Sequence, residues 1–194
     1  MFLRPSVREG VHFPILSPLT TTVAKSRLCS GLPRIKSIST FFYTHIANTT
    51  DPTTRGEALS SAVRQIAGHT RRENTNGLHE QWLFFPQHMG TNHWALIAIH
   101  PPSHHIHLLD SLLRTDHTEY NLRINIFKEV LNMAWFNTTD APTPTWTHTI
   151  RTDSPRQSNT VDCGVYMLAF CILLYTNNEL RFSTNMARHW RSRI

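Results

Sequence analysis

Gln157-Ser158-Asn159-Thr160-Val161-Asp162-Cys163-Gly164-Val165-Tyr166 is a polar run that passes, at Cys163, into a stretch that is apolar almost without interruption to Tyr175. Such a junction reads as a loop entering a helix buried inside the domain, with the cysteine on its first turn. The unpaired backbone amides and positive dipole end there favour thiolate over thiol, which gives Cys163 a physical reason to be nucleophilic. Gly164 leaves room beside it for a substrate backbone. Cys171, eight residues further into the apolar run, reads instead as a small buried hydrophobe. Val165 to Tyr175 falls well short of the roughly 20 apolar residues that cross a bilayer, so a core helix is expected and no membrane partner.

A thiol nucleophile needs a base, and the base needs a group that orients it. His93 opens a dense apolar strand, His93 to His100, and Asp110 closes another, Ile106 to Asp110, with Pro101-Pro102-Ser103 as the turn between them. An antiparallel hairpin with an even number of loop residues pairs positions whose numbers sum to an odd value, which puts His93 and Asp110 on one face. With a four-residue loop of 101 to 104, Asp110 lies opposite Ala95 and diagonally beside His93, within reach of its ring.

Around this hairpin, Gln81 to Phe85 reads as a short aromatic strand, Leu122 to Trp135 as an amphipathic helix and Thr145 to Ile150 as one more strand. Ile35, Ile38, Phe41, Phe42 and Ile46 fall at near-helical spacing, and Gly56 to Ala67 reads as a second helix, followed by a polar connector from His69 to Glu80. Residues 1–35 hold Pro5, Pro14, Pro18 and Pro33 among Ser, Thr and Arg and read as irregular. Their prolines also break the amphipathic helix that a mitochondrial presequence would need. At 194 residues, with 40% apolar and 16% charged side chains, the chain has the size and composition of one globular domain. Cysteines at 29, 163 and 171 form no CxxC pair, which excludes a disulfide framework and a cysteine-rich zinc module and favours a reducing compartment. The net charge of +6 gathers in residues 1–50 and in the tail, without a basic stripe interleaved with aromatics, so no nucleic-acid partner is expected.

The combination of His93-Trp94-Ala95-Leu96-Ile97-Ala98-Ile99, Leu109-Asp110-Ser111-Leu112 and Gln157 with Asp162-Cys163-Gly164 resembles the Ulp/SENP group of ubiquitin-like-protein (SUMO) proteases, in order and in spacing within each block. Ser39-Thr40-Phe41-Phe42-Tyr43-Thr44 resembles the segment before that family's sheet, and Phe182 to Ile194 the start of its terminal helices. The resemblance implies an α+β fold of the papain-like superfamily, with a mixed sheet packed on helices and the nucleophile at the N-terminus of the buried helix. It makes 36–194 the protease domain, cut short at both ends relative to the family, with a divergent segment before it. It implies cleavage after the C-terminal Gly-Gly of a ubiquitin-like modifier, SUMO first among them, by precursor processing or isopeptide deconjugation. Cys163 would attack the carbonyl carbon, His93 would serve as base and then acid, Asp110 would hold the imidazole, and Gln157 would donate its amide to the oxyanion. Trp94 would line the passage for the diglycine tail. No cofactor or metal is implied, the partner is a ubiquitin-like protein and its conjugates, and a monomer in the nucleus or cytoplasm is expected.

The family's N-terminal Trp-Leu-x-Asp segment has no counterpart in residues 1–35, which leaves one wall of that passage unassigned. A binding module that keeps the fold and grips a ubiquitin-like protein without cutting it is therefore the alternative. His100, His104, His105 and His107 invite a metal reading, but no Cys or carboxylate completes a tetrahedral set nearby and the group straddles a turn.

Overall fold

The computed structural model describes residues 35–37, 41–73, 78, 81–90 and 92–192. Its centre is a five-stranded mixed sheet in the order β1 to β5. The strands are β1 (Ile35–Ser37), β2 (Trp82–Met89), β3 (His93–His100), β4 (His105–Leu109) and β5 (Thr147–Ile150). β2, β3 and β4 run antiparallel in sequence, while β1 joins β2 and β5 joins β4 in parallel.

The central strand, β3, has Ala95 to Ile99 all buried, because both faces of the sheet are covered there. Its period-two alternation divides the core. Ala95, Ile97 and Ile99 pack with Leu83, Phe85, Ile106 and Leu108 under helices α1 (Phe41–Ala47), α2 (Pro52–Glu73) and α3 (Thr118–Thr138). Leu96, Ala98, Phe84 and Leu109 face the other way, onto α4 (Cys163–Tyr175), flanked by α5 (Thr184–Arg191). On the first face Phe127 of α3 meets Phe85 edge-on with centroids 4.8 Å apart, and truncating either ring would cost about 3 to 5 kcal/mol.

The hairpin follows the arithmetic of its turn. Pro101–Ser103 form a single 3₁₀ turn, His104 closes it in the left-handed region at φ 50°, and His100 pairs with His105. The ladder continues to Leu96 opposite Leu109, so the next step sets Ala95 across from Asp110.

Four expectations need correction. The near-helical spacing from Ile35 resolves into a strand at Ile35–Ser37 and a helix that starts only at Phe41; pairing with Trp82, Leu83 and Phe84 outweighs the local period. β2 runs through Pro86 to Met89 instead of ending at Phe85. Among the described residues it has no partner on the β1 side beyond Phe84, a position where a missing N–H is tolerated. Helix α4 begins and ends where its sequence predicts, but it is not enclosed. Cys163, Tyr166, Ala169, Phe170 and Leu174 form its buried face, while Val165, Met167, Cys171, Leu173 and Tyr175 are half-covered, since a helix laid on one sheet face needs only one wholly dry side. Helix α2 also reaches Glu73, past the expected end at Ala67 and into the polar connector. The irregular reading of residues 1–34 lies outside the described residues, as do Ser39 and Thr40. Among the described residues no helix is long and apolar enough to cross a membrane.

Candidate active site

β3 and β4 end side by side, and their ends carry His93 and Asp110. His93 Nε2 lies 2.6 Å from Asp110 Oδ1. The carboxylate is wholly buried and the imidazole nearly so. Leu112 donates its backbone N–H to the same Oδ1 at 2.7 Å, and the Tyr120 hydroxyl donates to Oδ2 at 2.6 Å. Burial pushes the Asp110 carboxyl up, but the hydrogen bonds from His93, Tyr120 and Leu112 outweigh it and hold the group below the ordinary carboxylate value. An ionised carboxylate only accepts, so Nε2 must carry the proton shared with it. In the neutral ring the lone pair then sits on Nδ1, which is buried and has no hydrogen-bond partner among the described residues. That nitrogen is the one left over to take a proton.

The second half of the site is the loop before α4. Asn159 organises it: its Oδ1 accepts the backbone N–H groups of Val161 and Asp162, both at 3.0 Å, and its Nδ2 donates to Asp162 Oδ2 at 2.6 Å. Asp162 Oδ1 takes Nη1 of Arg191 from α5 at 2.5 Å. The Asn159 bond, with Arg191 behind it, holds the Asp162 carboxyl below its ordinary value. Cys163 follows as the first residue of α4 and is buried, its Sγ 3.8 Å from the carbonyl oxygen of Asn92. Gln157 is clasped at both ends of its amide: Ser111 Oγ donates to its Oε1 at 2.6 Å, and its Nε2 donates to the Asn159 carbonyl at 2.5 Å. Its backbone N–H reaches the Ser111 carbonyl as well, at 3.1 Å. With one Nε2 hydrogen used, the amide keeps a second to offer.

The structure thus brings His93 and Asp110 into contact and ties Gln157 to Ser111, the residue after Asp110. Cys163 and His93 form no hydrogen bond; the thiol is turned to the carbonyl of the residue preceding His93. Trp94 is half-buried at the start of β3, edge-on to His88 with centroids 5.1 Å apart. Cys171 packs beside the α4 core, where burial pushes its thiol up to about 12, as suits an unreactive sulfur. The histidines of the β3–β4 turn are engaged with hydroxyls and rings: His100 with Ser103, His105 with Thr147 and Thr149, and His104 between Trp135 and Trp146. No group of metal-competent side chains occurs among the described residues. Sequence reasoning missed Tyr120, Asn159 and Arg191. Asn159, two residues after Gln157 and three before Asp162, carried a legible loop signal as an Asx-type organiser; Tyr120 and Arg191 carried none.

The chain thus presents a buried His–Asp pair at the end of its central hairpin and a cysteine on the first turn of a helix packed on the same sheet. The sequence model of the Ulp1 protease family, C-terminal catalytic domain, matches residues 30–193, and the chain belongs to that family. Its fold is similar to the C-terminal Ulp1 protease domain solved in complex with Smt3, the yeast orthologue of SUMO. The TM-score is 0.64 at 20% identity, over 81% of this chain and 64% of that one. The catalytic domain of the Ulp1-like SUMO protease of Chaetomium thermophilum is also similar, with a TM-score of 0.52 at 22% identity, over 76% of this chain and 53% of that one. The chain therefore spans somewhat less than two thirds of these solved domains. No curated protein matches it by sequence.

Proposed function

We propose that this chain is a thiol protease that cleaves after the C-terminal Gly-Gly of a ubiquitin-like modifier of the SUMO type, by precursor processing or deconjugation. The observation that carries the reading is the His93 ring. It is anchored through Nε2 to a buried, ionised Asp110 and presents an unpartnered Nδ1 in a site whose helix begins with Cys163.

The chemistry follows from those atoms. His93 Nδ1 takes the Cys163 proton, and the thiolate adds to the carbonyl carbon of the terminal glycine. The resulting oxyanion is met by the free N–H of the Gln157 amide and the Cys163 backbone N–H. The tetrahedral intermediate collapses to a thioester as the imidazolium protonates the departing amine, and water then releases the glycine carboxylate and the free thiol. Asp110 stays ionised throughout and stabilises the imidazolium without taking its proton. Trp94 forms part of the passage for the diglycine. A thiol in this role suits a reducing compartment, nucleus or cytoplasm.

The thiol's present contact with the Asn92 carbonyl, rather than with His93, keeps a non-cleaving binding module as the second reading, although catalytic hydrogen bonds are commonly loose before substrate binds. The test is a panel of ubiquitin-like proteins bearing a C-terminal electrophile. A covalent adduct with the SUMO probe that disappears in Cys163→Ala is the expected result. Tight binding of unmodified SUMO with no adduct would overturn the protease reading in favour of the binding module.

A further inference from the structure

Asp110 is buried with both oxygens occupied, and the donors to the two oxygens differ in kind. Oδ1 is held by the Leu112 backbone N–H and by His93, both near in the fold by virtue of the hairpin. Oδ2 is held, among the described residues, by the Tyr120 hydroxyl from α3. Tyr120 is itself fully buried, on the first turn of α3, with His117 against its ring. Its oxygen accepts the Arg114 backbone N–H at 3.1 Å, which orients the hydroxyl hydrogen away from Arg114 and toward the carboxylate. An amide, a phenol and a carboxylate thus form a chain that ends on the imidazole.

We propose that Tyr120 is a positioning residue for the His93–Asp110 pair: its hydroxyl fixes the rotation of the Asp110 carboxylate so that Oδ1 faces His93 Nε2. Through that bond it selects the ring tautomer with a free Nδ1. The role rests on the protease reading for its catalytic consequence, though the fixing of the ring does not. Hydrogen bonds to a charged, desolvated group are the strong ones, and an oxygen left bare in this site would be costly. The carboxylate would turn to recover a donor and weaken its hold on the imidazole. The same surroundings keep the phenol a donor, since burial and the facing Asp110 push its ionisation well above that of a free tyrosine.

Tyr120→Phe removes only the oxygen and keeps the ring in its place in the core. In the full chain, turnover of a SUMO substrate carrying a fluorogenic amide after its diglycine should fall about 10-fold to 30-fold in kcat, with KM unchanged. In an Asp110→Asn background the same substitution should cost almost nothing further, because its path runs through the carboxylate. The ring nitrogen resonances of His93 give a readout that needs no substrate: wild type should show the Nε2-protonated tautomer and Tyr120→Phe a mixture. An unchanged tautomer, or a loss that adds in full to that of Asp110→Asn, overturns the proposal. A wild-type chain that holds the single tautomer, loses it in Tyr120→Phe and yet cleaves nothing overturns the protease reading and leaves the positioning role standing.

Discussion

The two halves of the site are held by different kinds of bond. His93 and Asp110 stand at the end of a hairpin whose backbone ladder is continuous from His100–His105 to Leu96–Leu109, so their relative placement is a matter of register. Gln157, Asp162 and Cys163 belong to a loop whose shape depends on side chains: Asn159 on two backbone amides, Ser111 on the Gln157 amide and Arg191 on Asp162. A ladder fails only when several bonds fail together, whereas a clasp made of single side chains can be undone one residue at a time. The hairpin half is also complete before any substrate arrives. The loop half is tied to it through Ser111 and Gln157, but Cys163 and His93 share no hydrogen bond. The chain has therefore put its ladder-built construction under His93 and Asp110 and its side-chain construction under Cys163.

The two halves must meet at Cys163, and its removal is the most severe way to break the comparison. Cys163→Ala should abolish cleavage of a SUMO precursor below detection while leaving the melting temperature unchanged, because the helix starts on the backbone and not on the thiol. Cys171→Ala should do the reverse, keeping activity and losing about 1 kcal/mol to a small cavity beside the α4 core. Comparable turnover in wild type and Cys163→Ala would remove the nucleophile assignment altogether.

Gln157→Ala comes next. Loss of one oxyanion donor costs roughly 100-fold to 1000-fold in turnover in comparable sites. The oxyanion exists only after attack, so binding of SUMO on a Cys163→Ala background should not change when Gln157 is also replaced. A large loss of affinity would mean that Gln157 supports the loop through Ser111 and Asn159 and does nothing for the oxyanion.

Asn159→Ala tests the clasp itself. It removes two acceptor contacts to backbone amides and one donor contact to Asp162, for an expected loss of about 10-fold in kcat and about 1 to 2 kcal/mol in stability. Amide exchange at Val161 and Asp162 should quicken while that of Ile97 to Ile99 in β3 stays slow. Asn159→Asp keeps the acceptor but sets a second carboxylate against Asp162, and it should fare no better. Uniform quickening across both halves would show that loop and hairpin open as one unit and that the contrast between them is only geometric.

The same contrast explains what could be read from the amino acids. Register is arithmetic: once Pro101 to His104 is taken as a four-residue loop, the odd sum places Asp110 beside His93, and the structure follows it. The start of α4 at Cys163 was equally open, because the polarity of the chain changes there in one step. The end of β2 was not legible, because the strand continues past Phe85 by pairing with β3, a long-range fact. Tyr120 stayed hidden for the same reason. Ten residues separate it from Asp110, and only the packing of α3 on the sheet brings its hydroxyl to the carboxylate. Arg191, 29 residues after Asp162, is a case of the same kind.

The smallest expected effect on cleavage concerns the far end of the hairpin, where the ladder carries a titratable side chain. His107 pairs with Ala98 on one side and Thr149 on the other, with the Trp82 ring 5.7 Å and the His105 ring 4.4 Å away. Its Nδ1 is buried without a partner among the described residues. Burial first, then the neighbouring charges of His105, Arg151 and His100, lower it to about 4, with Asp153 pulling weakly the other way. The folded ring is thus neutral where the unfolded chain, with an ordinary histidine near 6.5, binds a proton. Between those values the unfolded state holds more protons, so stability must fall as pH drops from about 6.5 to about 4. The share due to His107 is about 1 to 2 kcal/mol, set below the full linkage value because the ring still touches solvent. His107→Phe keeps an aromatic ring against Trp82 and cannot titrate; it should flatten the urea-unfolding free energy over that window and leave cleavage at neutral pH untouched. His100, His105 and His148 are shifted in the same direction and should leave a residual slope. If the slope were unaltered, the acid sensitivity would lie outside the hairpin. If activity fell with it, the two ends of the ladder would be coupled, and register alone would not account for the placement of His93 and Asp110.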